Sequence, residues 1–189
     1  MRNFVLVLLT LMFTASESNA QKLFGIPLDN TTDQFVTELI NIGYTKVESD
    51  GGKPVLKGMF LNTYECVLVI EESVAVGEQP RKVRKVEVKL KQNPKFISDL
   101  EPAFNQLKLV FSGKYGEETS CQYKVDRAFQ QSEKKPLWLI ESGKYKNACE
   151  WNMDDMIVDM YIKNSPEVVC SWELKKSNFD YYKDLIDQL

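Results

Sequence analysis

Histidine is absent from this chain, which excludes nucleophilic hydrolases with an imidazole base, histidine-ligated zinc, histidine-bound haem and phosphohistidine relays. Chemistry by carboxylates, lysine, tyrosine or Ser-Lys pairs stays open, and none of these has a signature here. The four cysteines form no Cys-x-x-Cys knuckle, so a structural zinc site lacks its usual spacing. No apolar run is long enough for a transmembrane helix: the stretch from Phe4 to Phe13, broken at Thr10, falls well short of the roughly 20 residues a bilayer demands. A formal net charge of −3 gives no electrostatic reason to seek nucleic acid or an anionic membrane. The basic stretch Arg81 to Lys91 alternates with Val and Leu, as the solvated side of a strand does, and is not read as a polyanion site.

The short apolar run carries information of its own. Arg2 precedes it, and small polar residues ending in Ser18-Asn19-Ala20 follow it. That is the pattern of an export signal, residues 1–20, with cleavage expected after Ala20 and a mature chain beginning at Gln21. The first cysteine is Cys66, which excludes a lipid-anchoring cysteine at the new terminus. The expected location is therefore periplasmic or secreted. Residues 21–189 are expected to form a single α+β domain, long enough to bury its own core.

Local signals set the order of elements. Thr31 and Gln34 make a capping box before Phe35, Val36, Leu39 and Ile40, and Gly43 supplies the stop, so a helix is predicted over 32–42. Strand patterns follow at 55–61, 64–71 and 83–91. A second helix begins near Ser98-Asp99-Leu100-Glu101, carries Leu100, Ala103, Phe104, Leu107, Val110 and Phe111, and is expected to end at Gly113. Further strands are predicted at 121–125, 145–152, 156–163 and 167–174, the last three as an antiparallel meander. A long connection over 126–144 holds a short helix between Pro136 and Gly143, and a last helix is expected over 178–189. The economical architecture is one antiparallel sheet with helices packed on one face; the element order leaves open a duplication into two helix-plus-meander repeats, between which sequence similarity is slight. Even-numbered residues are the apolar set in most strands and should face the helices.

The segment Phe24-Gly25-Ile26-Pro27-Leu28-Asp29 before the capped helix, the strand Leu56-Lys57-Gly58-Met59-Phe60, and Lys114-Tyr115-Gly116 after the second helix give the chain a family likeness. It resembles small secreted bacterial proteins of unassigned function, whose fold is similar to that of β-lactamase inhibitor protein and its outer-membrane assembly relatives. The likeness covers nearly the whole mature chain. It implies a BLIP-like fold and no functional residues, because the motifs that carry it are a turn, a cap and a helix stop.

Candidate sites are few. Ser-Gly-Lys-Tyr occurs at 112–115 and 142–145, without the glycine-rich run of a phosphate loop, and its glycines read as helix stops. The adjacent acids Asp154-Asp155 fall at a hairpin tip, which suits neither a glycosidase cleft nor the spaced ligands of a calcium loop. Cys66, Cys121, Cys149 and Cys170 allow three pairings in an exported protein. Cys149 and Cys170 lie two strands apart, at roughly 9–10 Å, too far for a bridge. Cys121 and Cys149 fall on neighbouring strands with inward parity and are the expected disulfide; buried reduced cysteines are the alternative. On the sheet face away from the helices, Val67, Val69, Ile157, Tyr161 and Val169 stand among Lys and Glu. They mark a candidate interaction surface unless the 126–144 connection covers it.

The expected function is a non-catalytic binding protein of the bacterial cell envelope, without cofactor or metal, whose partner is an envelope or extracellular protein. Trp138, Trp151 and Tyr161 keep a glycan-binding alternative, and a histidine-free hydrolase is the remaining class.

Overall fold

The computed structural model describes residues 22–47, 52–73 and 80–175. The expected leader over 1–20 and the expected helix over 178–189 lie outside the described residues. A two-residue ribbon opens the fold, β1 (Lys22–Leu23) against β2 (Ile26–Pro27). Its turn residues Phe24 and Gly25 both have positive φ, 57° and 84°, the conformation that lets two residues reverse a twisted ribbon. Contacts of the Phe24 ring with Tyr44 at 5.5 Å and Phe60 at 5.7 Å hold that backbone in place.

Helix α1 (Thr32–Asn41) carries the predicted capping box between Thr31 and Gln34. Phe35, Val36 and Leu39 are buried, whereas Ile40, expected on the same face, is 45% exposed. Gly43, at φ 103°, stops the helix: Gly43 N–H donates to Ile40 and Tyr44 N–H to Leu39, a left-handed cap that satisfies two terminal carbonyls. Strands β3 (Thr45–Val47), β4 (Val55–Phe60), β5 (Tyr64–Glu72) and β6 (Val83–Leu90) follow. Helix α2 (Glu101–Tyr115) enters through a 3-10 turn at Ile97–Asp99. It runs through Gly113, the expected stop, and ends two residues later, before Gly116 at φ 87°. Gly113 has open space where a Cβ would be, so nothing there interrupts the helix. Val110, assigned to the core by periodicity, is 42% exposed. Then come β7 (Ser120–Val125), the short α3 (Trp138–Glu141), and β8 (Tyr145–Asn152), β9 (Met156–Lys163) and β10 (Glu167–Leu174).

The fold is α+β, and the eight strands form one antiparallel sheet in the order β3-β4-β5-β6-β10-β9-β8-β7. Each half is a helix followed by four strands, and the halves meet where β6 pairs with β10, the last strand of each. The predicted even-numbered set, from Leu56 and Leu68 to Val158 and Trp172, lines the buried core with α1 and α2. Phe111 of α2 sits edge-on to Trp151 and to Trp172, both at 5.5 Å, and the Trp172 indole donates to Tyr115 Oη at 2.9 Å. Burying aromatics of this size dominates the energetics of a small core.

The 126–144 connection packs on the helix side. Phe96 bridges Pro136, Ile97 N–H donates to the Lys135 carbonyl, and Leu139 and Ile140 join the core. Lys135 Nζ reaches Glu101 at the start of α2 at 3.3 Å. No helix among the described residues is long and apolar enough to cross a membrane.

Candidate functional site

Strand register assembles the face away from the helices row by row, because directly opposed residues share a face. One row runs Lys57, Val67, Lys89, Val169, Tyr161, Ala148, Gln122. The next runs Val55, Val69, Glu87, Ser171, Asp159, Glu150, Ser120. Ile157 lies one row further on, opposite Glu173. Val67, Val69, Ile157, Tyr161 and Val169 thus fall on one face by register.

Their burial divides them. Val67, Val69, Ile157 and Tyr161 are half-buried. Val169 and its neighbour Ser171 are 0% exposed, and the core cluster on the helix side does not include Val169. These two short side chains sit between longer register neighbours, Lys89 and Tyr161 for one, Glu87 and Asp159 for the other. Val169 is therefore part of the floor of the face, not a contact residue.

Charge is arranged unevenly over this face. On β6, Glu87 lies 3.1 Å from Lys85 and 3.8 Å from Lys89; Lys53 pairs with Glu71 at 2.6 Å, and Arg84 with Glu173 at 3.1 Å. On the other side, Glu150 of β8 directly opposes Asp159 of β9, a like-charge pairing that is unfavourable in itself. Among the described residues neither carboxylate has an ion pair; Asp159 accepts one long hydrogen bond, 3.4 Å, from Ser171 Oγ. Burial, and then the Glu150 charge, raise the Asp159 pKa above its ordinary value of 3.8. The Tyr161 hydroxyl is also shifted upward, by burial and then by Glu87. A depression of about 170 Å³ opens here, lined by Ser120, Gln122, Lys146, Glu150, Asp159 and Tyr161 among others. The Lys146 ammonium in this lining donates to Gln122 and the Lys85 charge partly offsets the rise at Asp159, but neither carboxylate has an ion pair among the described residues, so the aromatic ring beside them suits a further cationic group on an apolar stem.

Sequence reasoning missed the Glu150–Asp159 pair. The signal was present in the hairpin register, since strands at 145–152 and 156–163 joined by a short turn bring these two residues opposite each other. Asp154 and Asp155 sit in the connection between β8 and β9 as expected. The three aromatics considered for glycan binding are not brought together. Trp151 is in the core with its indole donating to the Gly116 carbonyl at 3.1 Å, Trp138 is 45% exposed on α3, and Tyr161 is on the opposite face. Among the described residues no group of three or more His, Cys, Asp or Glu is placed to hold a metal ion.

Cys121 and Cys149 form a disulfide between β7 and β8, with Cα atoms 4.1 Å apart. Cys66 and Cys170 are buried free thiols. No family model, curated protein or solved structure matches the chain.

Proposed function

We propose that this chain is an exported, non-catalytic protein-binding module of the bacterial cell envelope, periplasmic or secreted, with a fold of the β-lactamase-inhibitor-like kind that its sequence resembles. The working surface is the sheet face away from the helices. The observation that carries this reading is the depression where Tyr161 stands beside the opposed Glu150 and Asp159, neither of which has an ion pair among the described residues. Its chemistry selects an envelope protein presenting a lysine or arginine next to an apolar side chain: the cation relieves the like-charge pair, and Tyr161 covers the apolar neighbour. An aromatic anchor beside a desolvated charge is the usual composition of an interface hot spot. The disulfide supports a location outside the reducing cytoplasm.

The test is capture from an envelope extract by immobilised mature protein, run in parallel with Tyr161→Ala and Glu150→Gln. A partner retained by the native chain and lost with both variants, while their thermal unfolding stays close to native, is the expected result. A partner retained equally by all three, or no partner at all, rejects the reading.

A further inference from the structure

The two edges of the eight-stranded sheet are not alike. At one edge β3 has three residues; at the other, β7 has six, in unbroken register with β8 from Ser120 to Val125. Proteins usually blunt a strand edge with proline, brevity, bulges or charge, because its free backbone groups are a template for pairing. β7 contains no proline, and its one charged residue is Lys124. Its side chains are exposed up to Val125, and Tyr123 is 60% exposed.

The disulfide shows which backbone groups face away from β8. Antiparallel residues alternate between hydrogen-bonded pairs, Cα atoms about 5.5 Å apart, and non-hydrogen-bonded pairs, about 4.5 Å apart. Cys121 and Cys149, at 4.1 Å, are of the second kind. Tyr123 opposite Asn147 and Val125 opposite Tyr145 share that phase. The N–H and C=O groups of Cys121, Tyr123 and Val125 consequently point away from β8. No turn or loop backbone group among the described residues bonds to them.

We propose that this edge pairs with the β7 edge of a second copy of the chain, antiparallel about a two-fold axis at Tyr123, so that two sheets become one. In this register Tyr123 faces Tyr123 of the second copy and Cys121 faces Val125. All three outward residues then exchange both of their hydrogen bonds, six bonds in all. On the opposite face Gln122 faces Lys124 of the second copy, so no like charges meet. Sliding by two residues in one direction sets Lys124 against Lys124; sliding in the other leaves Val125 beyond the partner strand. Only the symmetric register satisfies every outward group of β7 without repulsion, which is what an isologous interface requires. The disulfide holds β7 in the extended form needed for pairing, so little ordering is left to pay on association. An extended segment of a foreign protein is the rival occupant, and nothing in β7 selects one, whereas its own sequence is complementary to itself.

Sedimentation equilibrium of the oxidised mature chain tests this, independently of any envelope partner. A reversible monomer–dimer equilibrium is expected. Tyr123→Pro removes an N–H that makes no bond to β8 and takes away two of the six bonds between copies, so the dimer should weaken by about tenfold or more. Because Tyr123 also packs edge-on to Tyr145 at 5.9 Å, a second variant is read beside it, with its thermal unfolding measured because Gln122 accepts a hydrogen bond from Lys146 of the same chain. Gln122→Lys places like charges across the axis and should dissociate the dimer, and adding Lys124→Glu should restore it. A chain that is monomeric throughout, a dimer indifferent to Gln122→Lys, or an edge that takes up only a foreign peptide would overturn the proposal.

Discussion

At the β3–β4 end of the sheet the tie is a packed ring. Tyr44, the residue after the α1 stop, lies over Gly58 so closely that a Cβ there would come within 2.3 Å of the ring, and its hydroxyl donates to the Met59 carbonyl at 2.9 Å. At the β7 end the tie is covalent. Five of the six β7 residues are exposed, so this strand has almost no apolar surface to take from water, and the Cys121–Cys149 bond replaces burial. One end is stabilised by what the folded chain buries, the other by what the unfolded chain is denied.

Removing the covalent tie is the strongest test of that contrast. The bond closes a loop with a sequence separation of 28, for which the chain-entropy relation gives about 3–4 kcal/mol. The double variant Cys121→Ser with Cys149→Ser should lose stability of that order in urea unfolding. Amide protection should collapse at Ser120, Gln122 and Lys124, whose N–H groups face β8, while surviving over 55–60. Loss of less than about 1 kcal/mol would mean that the β7–β8 ladder suffices and that the two ends do not differ in kind.

The non-covalent end comes next. Gly58→Ala drives a methyl into the Tyr44 ring, an overpacking expected to cost about 1–3 kcal/mol. A near-neutral result in the same assay would show that Tyr44 swings away freely and that the ring is not the tie. The smallest effect concerns the open face. Asp159 keeps its proton to a higher pH when folded than when unfolded, because burial and Glu150 disfavour its charge. In that window the folded chain holds more protons, so the contribution is full below the ordinary value of 3.8 and is lost as pH rises through the raised one. Asp159→Asn should flatten that fall, and an unchanged stability–pH profile would place the charge pair in ordinary solvent.

Much of this arrangement was readable in advance because local signals agreed with tertiary demand. The β8, β9 and β10 boundaries follow from alternation interrupted by Asn-Met-Asp-Asp and Asn-Ser-Pro turns, and α1 from one capping box. The strand parity that places Cys121 beside Cys149 was legible for the same reason. Gly113 misled because glycine stops a helix only where a left-handed residue is needed, and Phe111 and Tyr115, packed on either side of it, keep the helix going. β3 escaped notice because its three residues bury little and show no alternation. The burial of Val169 and the Glu150–Asp159 opposition depend on which residues become register neighbours, and no single strand contains that information.

The two unpaired cysteines bear on how the chain is oxidised as it folds. Cys66 is buried, its thiol pushed up to about 11 chiefly by burial, and Cys170 is buried completely and shifted further in the same direction. The thiolate is the attacking species in exchange, so at neutral pH Cys66 is armed in only about one molecule in ten thousand, and Cys170 in fewer. On the formed sheet Cys121 alone of the four is exposed, and Cys149, though buried, stands directly opposite it, whereas Cys66 and Cys170 lie in the core on other strands. Of the three possible pairings, the register brings one pair face to face, and the two core thiols, held protonated by burial, are poor attackers of the bond once it is made: the sheet guards its own disulfide against exchange.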